Sequence, residues 1–295
     1  MVESKDYMVR AIDEDVGVLA FAARTTELVE RARKIHSCSP TATAAIGRLL
    51  TAAAMLGLML KSEKDNVTLR VEGGGPAGVL LAFSDSKGNV KGYISNPEAD
   101  LPLNEKGKLD VGGIVGRQGT LTVIKDLGLK EPYVGQVPLV SGEIAEDLTY
   151  YFVKSEQIPS AVSLGVLVDK DGKVKAAGGF IVQLLPNADE STAISIEENI
   201  KVMRPVTELI DEKNSPEELL HLLLPGFKLK FLAKNDVSYR CSCSRERLEA
   251  VIVNLGREEA ENILKEKGKI ELICQYCRER YEFTEQEVKR IFETA

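Results

Sequence analysis

The chain has no tryptophan, two histidines and five cysteines among 295 residues, and only 5% of it is aromatic. So few rings leave little with which to stack nucleic-acid bases. Lys and Arg number 38 against 45 Asp and Glu, and the resulting net charge of −7 argues against a broad phosphate-binding face and favours solubility. No GxxxxGK[ST] stretch is present, so no ATP-binding P-loop is expected. The longest apolar run, Leu49 to Leu60, has 12 residues; it is too short to span a bilayer and reads as a buried helix. The opening MVESKDYMVR has mixed charge and lacks the apolar segment of a signal peptide. These absences point to the cytoplasm, with no membrane and no nucleic-acid partner. In that compartment structural disulfides are rare.

Cysteine is scarce but not scattered. Four of the five lie between Cys241 and Cys277, as Cys-x-Cys, 30 intervening residues, then Cys-x-x-Cys. Two close pairs at this separation suit one tetrahedral four-thiolate metal site. The Cys-x-x-Cys falls in a predicted hairpin turn between KIELIC and RERYEF. The Cys-x-Cys immediately precedes a predicted helix, whose N-terminus favours thiolate charge. Neither His36 nor His221 is near enough in sequence to compete as a ligand. One zinc ion held by Cys241, Cys243, Cys274 and Cys277 is therefore expected.

Spacing leaves the purpose of such a site open. A structural module is the usual role, because a unit of about 60 residues with one thin core needs a staple. Zinc contributes roughly 10–16 kcal/mol to small modules of this kind, against a typical domain stability of about 5–15 kcal/mol. The same arithmetic allows a switch: an oxidant that ties the thiolates into disulfides removes the ligands, and the unit unfolds. A disulfide inside a Cys-x-Cys would be strained and labile. A thiol–disulfide enzyme using Cys274 and Cys277 is a third reading. It is weakened because that motif belongs at a helix start, not between two strands.

The rest of the chain reads as α+β. Residues 1–187 form a mixed domain, with strands expected at 67–72, 79–85, 120–126, 162–169 and 174–185 and helices at 25–36, 41–61 and 144–157. After Pro186 the strand signals disappear until about Lys234. A capping box, Ser215 to Glu218, and a helix opened by Pro205 mark residues 188–234 as an amphipathic helical linker. Such a segment is stable mainly through docking on something else. Residues 235–295 form the small four-cysteine domain. There Ser244 caps a helix with an apolar stripe of Leu248, Val251, Ile252 and Leu255, Gly256 closes it, and REEAENILKEK forms a second. Thr284 and Glu287 open a last helix. Lys and Arg number 11 against 13 Asp and Glu in this unit, which argues against a nucleic-acid-binding zinc ribbon.

Two weaker signals have ordinary explanations. GGGPAG (73–78) matches GxGxxG, but a strand follows it where a dinucleotide fold needs a helix, so it is read as a glycine-rich bend. Cys38, two residues from His36, is read as a small apolar side chain at a helix end and as a spectator to any redox chemistry.

The chain resembles the 33-kilodalton heat-shock protein family of redox-regulated bacterial chaperones over essentially its whole length. The four-cysteine pattern carries most of the resemblance. ARTTELV (23–29), VEGGGP (71–76), YISNP (93–97), LVSGEIAEDLTYY (139–151), SEQIPS (155–160) and AGGFIVQLLP (177–186) support it. The resemblance implies a non-enzymatic holdase that is inactive when reduced, with one zinc per chain on the four cysteines. Peroxide or hypochlorous acid under unfolding conditions is then expected to form Cys241–Cys243 and Cys274–Cys277, release zinc and disorder the C-terminal domain and linker. The active form is expected to be a homodimer that binds unfolded client proteins without ATP.

Overall fold

The computed structural model describes residues 5–294, and the chain divides into two compact units between Arg240 and Cys241. The first unit begins with the hairpin β1 (Tyr7–Asp13) and β2 (Val18–Arg24), then α1 (Thr26–His36) and α2 (Pro40–Leu58). Three strands follow: β3 (Asn66–Glu72), β4 (Val79–Asp85) and β5 (Asn89–Ile94). Short α3 (Val111–Val115), β6 (Thr120–Asp126), β7 (Tyr133–Pro138) and α4 (Ala145–Tyr151) come next, and α4 ends in a π-helical turn, Phe152–Glu156. The hairpin β8 (Ser160–Val168) and β9 (Val174–Leu184) leads to α5 (Glu190–Val202), α6 (Val206–Asp211) and α7 (Pro216–Leu223). The unit ends with β10 (Lys230–Asp236) and β11 (Ser238–Tyr239).

These strands make two sheets. One has the order β10-β1-β2-β9-β8, antiparallel throughout. The other runs β11-β5-β4-β3-β6-β7, parallel only where β11 joins β5. Helix α2 lies between the sheets, packed on β3, β4 and β5 on one side and β8 and β9 on the other. Its sequence allows this: alanines 42, 44, 45, 52, 53 and 54 are all fully buried, so both sheets approach closely. Ser39 caps it by accepting the Ala42 N–H, with Pro40 in the first turn. Among the described residues α2 is the one helix long and apolar enough to cross a membrane, and 89% of its apolar window is buried inside the protein.

Helices α5, α6 and α7 dock on the outer face of the first sheet. Leu209 and Ile210 of α6 and Leu219, Leu220 and Leu223 of α7 are buried with Val9, Ala11, Ala22, Phe180 and Val182. The capping box forms as read: Ser215 Oγ accepts the Glu218 N–H and Glu218 Oε2 accepts the Ser215 N–H. One expectation is corrected. Strand signals do not stop at Pro186, because Lys230–Asp236 is a strand paired with β1. All seven of its residues are exposed, so no apolar alternation marked it. Extended backbone beside the otherwise open rim of β1 is what makes it a strand. The GGGPAG bend behaves as read. A Cβ on Gly73 or Gly75 would lie about 2.5 Å from the carbonyls at the end of α3, and Gly75 and Ala77 donate N–H to Val115 and Ile114 there.

Asp6, just before β1, is 2% exposed. Its Oδ2 accepts the Leu28 N–H at 2.7 Å, capping α1 from outside the helix. Burial outweighs that bond and the Arg24 charge and raises its pKa to about 7 from 3.8. A carboxyl with a raised folded pKa contributes stability that is complete below about pH 4 and is lost as pH rises through 7. At about 1.4 kcal/mol per unit the swing is on the order of 4 kcal/mol at most. Urea midpoints of this unit are expected to fall between pH 4.5 and 8, and Asp6→Asn to flatten the fall. Parallel profiles for the two proteins would refute the assignment.

The second unit is built from α8 (Arg245–Leu255), α9 (Arg257–Lys267), the hairpin β12 (Lys269–Ile273) and β13 (Arg280–Thr284), and α10 (Glu285–Thr294). Its fully buried apolar core is Ile252, Ala260, Ile270, Phe283, Val288 and Ile291. The expected stripe on α8 is half right. Ile252 is buried and Leu248 partly so, whereas Val251 and Leu255 are 47% and 42% exposed. With one thin core on one side, α8 buries a narrower stripe than its apolar residues suggest.

Candidate metal and redox centre

The Cys-x-Cys lies in extended chain before α8, and Ser244 caps that helix by accepting the Arg247 N–H. Arg247 reaches back to the Ser242 carbonyl at 2.9 Å, holding the segment in place. The Cys-x-x-Cys forms the turn of the β12–β13 hairpin. Cys274 N–H donates to the Glu279 carbonyl and Arg278 N–H to the Cys274 carbonyl, both at 2.9 Å, and Arg278 takes a left-handed φ of 60°. Arg245 clamps the two halves together. Its guanidinium lies 4.3 Å over the Phe283 ring, and it bonds the Glu282 carbonyl and Glu287 at 2.8 and 2.7 Å.

This arrangement brings all four sequence-predicted cysteines together, with their Sγ atoms within 4.8 Å of one another. Cys241 and Cys274 are 3.7 Å apart, and Cys243 and Cys277 3.3 Å. A tetrahedron of sulfurs about 2.3 Å from a central zinc has edges of about 3.8 Å, and a disulfide about 2.05 Å. The spacings thus match four thiols gathered around a point and not bonded pairs. Cys274 is buried and the other three are half-buried.

Backbone amides surround the sulfurs as they do in metal knuckles. The Cys243 N–H donates to Cys241, and the Glu279 N–H to Cys277. Burial pushes the Cys241 and Cys277 thiols up, and the facing thiols push further. Burial also raises Cys274, but the N–H groups of Cys277 and Tyr276 and the neighbouring thiols reverse it to a net downward shift. Cys274 is thus the acidified thiol beside Cys241 and Cys277, which resist ionising. Sequence reading missed Tyr281, whose hydroxyl is 3.3 Å from Cys243 Sγ; the visible signal was its place two residues before buried Phe283, on the same face of β13.

The other candidates lie elsewhere. His36 closes α1 in the first unit, with Nε2 3.0 Å from the Gly92 carbonyl and 3.3 Å from the Tyr239 hydroxyl. Cys38 is buried in the core between the sheets.

Fold and site together define a class: a two-sheet α+β domain followed by a small four-cysteine domain. The family model described as Hsp33 protein matches residues 6–284. The chain is 48% identical over 291 residues to the 33 kDa chaperonin of Thermoanaerobacter sp. (strain X514), covering 99% of each. It is 50% identical over 284 residues to that of Clostridium beijerinckii, covering 96% of this chain and 97% of the relative. The crystal structure of the 33 kDa chaperonin (heat shock protein 33 homolog) from Thermotoga maritima superposes with a TM-score of 0.91 at 44% identity, covering 98% of each chain. The chain belongs to the Hsp33 family.

Proposed function

We propose that this chain is a redox-regulated, ATP-independent holdase of the cytoplasm that binds unfolding proteins and keeps them from aggregating under oxidative and heat stress. One observation carries the reading: four thiols converge on one point in a unit whose core is six buried apolar residues. Relatives at about half identity are named chaperonins, which supports the chaperone half of the reading.

In the reduced state Cys241, Cys243, Cys274 and Cys277 hold one zinc ion, which supplies the cross-link that the thin core lacks. Thiolates fixed in this protonation state are also nucleophiles. Each pair of thiolates that meets one peroxide gives up two electrons and forms one sulfur–sulfur bond, while the peroxide takes those electrons and two protons from solvent and becomes two waters. Two such steps, Cys241 with Cys243 and Cys274 with Cys277, leave no thiolate to bind metal. The second unit then loses its staple and unfolds, segment 188–234 leaves the first sheet, and apolar surface becomes available to clients. The active form is a homodimer, and Cys38 takes no part.

The test is light scattering of a chemically unfolded client at elevated temperature, with reduced and peroxide-treated protein, and zinc followed by a colorimetric chelator. Release of about one zinc per chain, with aggregation suppressed only after oxidation, is the expected result. Zinc release with unchanged scattering would reduce the cluster to a structural staple.

A further inference from the structure

Strand β10 is held to the first unit in an unusual way. Its six paired positions run from Tyr7↔Asp236 to Ile12↔Lys230, with a bulge between Arg10 and Ala11, yet every one of its seven residues is exposed. What it covers is the opposite: Met8, Val9 and Ala11 of β1 are at most 1% exposed and feed both cores of the unit. β10 therefore contributes chiefly a ladder of backbone bonds, with no residue fully buried and Phe231 and Leu232 37% and 44% exposed. Its side-chain ties are ion pairs, Lys230 to Glu14 at 3.9 Å, Lys234 to half-buried Glu217 at 3.1 Å and Lys5 to Asp236, with Lys234 also 3.9 Å over the Tyr7 ring and the Phe231 ring edge-on to His221 at 5.6 Å. The firm attachment is just beyond it. Val237 is 4% exposed and donates its N–H to the Asp6 carbonyl, Ser238 and Arg240 donate to Gly88 and Val90, and the Tyr239 hydroxyl bonds Gly92. Cys241 follows two residues after Tyr239.

We infer that β10 is a displaceable strand, and that the rim of β1 beneath it is where an extended segment of an unfolding protein adds to the sheet, antiparallel, in the place β10 vacates. The inference rests on the chaperone reading above and names its client contact. A rim of unpaired N–H and C=O groups is a ready template for another strand. No residue of β10 is fully buried, so recognition of a strand seated there is chiefly by main chain and tolerant of sequence. That is what a protein with many clients requires. The rim selects mildly for charge: Asp15, Glu14 and Glu217 face Lys228, Lys230 and Lys234, while Asp13 accepts the Lys228 backbone N–H, so extended segments carrying lysine fit best.

The test uses the full chain and a labelled peptide with the sequence of residues 228–236. Amide hydrogen exchange is followed over residues 7–13 in the reduced, oxidised, and oxidised-plus-peptide states. Oxidation is expected to speed exchange in β1, and the peptide to slow it again. A peptide N-methylated at alternate residues on its pairing edge should bind about tenfold more weakly or worse, since several backbone bonds are lost. Protection of 7–13 and 230–236 unchanged by oxidation, equal binding of both peptides, or capture that replaces β10 with the β10 of a second copy would each overturn the inference. Client light scattering on the same samples judges the chaperone reading separately. Suppressed aggregation with β1 still protected sinks strand addition alone, whereas aggregation unsuppressed after oxidation sinks the chaperone reading.

Discussion

Cys277→Ser is expected to give a chain whose first unit is native and whose residues 241–295 are unfolded. The magnitudes decide this. Six buried apolar residues form the whole core of that unit, and a core of this size rarely supplies more than about 3–5 kcal/mol. A four-thiolate zinc site adds roughly 10–16 kcal/mol, so the cross-link outweighs the packing. Serine keeps the size of the side chain but offers no thiolate, and the Glu279 N–H that donates to the Cys277 sulfur is left facing a poor ligand. The variant should bind well under one zinc per chain, be cut by protease within 241–295 and nowhere earlier, and hold clients without peroxide. Cys38→Ser, in the core of the other unit, should keep its zinc and its redox dependence. A Cys277→Ser protein with full zinc and protease-resistant residues 241–295 would show that three thiolates and the core suffice, and the switch would lose its energetic basis.

How far the sequence told this story depended on what each element buries. Strands β4 and β6 lie at the expected ranges, 79–85 and 120–126: β4 alternates in burial against α2, which leaves a period of two in its residues, and β6 is a short β-branched run with Leu121, Thr122 and Val123 buried in succession. Helix α9 was legible from Gly256 and Gly268 alone, each with positive φ at its ends. The four cysteines were legible because a rare residue in two tight pairs has few physical uses. β10 was not legible: a strand with no fully buried residue writes no alternating pattern. Nor was the failure of Val251 and Leu255 to reach the core, since a stripe on α8 says what it offers and not how much partner surface the small unit provides. Periodicity predicts α-helix to the end of 144–157, but Phe152–Glu156 form a π turn. That departure depends on Gln157 taking a left-handed φ and Tyr151 bonding Glu156, contacts invisible to periodicity.

The step from a loosened zinc unit to a freed β10 passes through the junction at Asp236 to Tyr239, and Gly88 is the residue on which that junction rests. Gly88 sits in the β4–β5 turn with φ +80°, and a Cβ there would lie 2.2 Å from the Asp236 carbonyl oxygen. Its own carbonyl accepts the Ser238 N–H at 3.0 Å. The turn has little freedom to retreat, because the Asp85 carboxylate bonds the N–H groups of Lys87 and Asn89, both at 2.9 Å. A side chain at this position meets backbone on one side and a braced turn on the other, with a left-handed penalty of about 1–2 kcal/mol added. What yields is the junction. Gly88→Val is expected to pull Val237 and Tyr239 from their seats, speed hydrogen exchange over 230–240, and give client capture in reducing buffer with zinc still bound. That combination would place the latch at the junction and make zinc loss one way of opening it. Tyr239→Phe, which removes only the hydroxyl bonds to Gly92 and His36, should move both readouts the same way by less, and it serves should the valine chain fail to fold. Wild-type exchange over 230–240 in both variants, with no capture before oxidation, would mean that the junction is not the latch and that release of β10 requires loss of the whole docked segment.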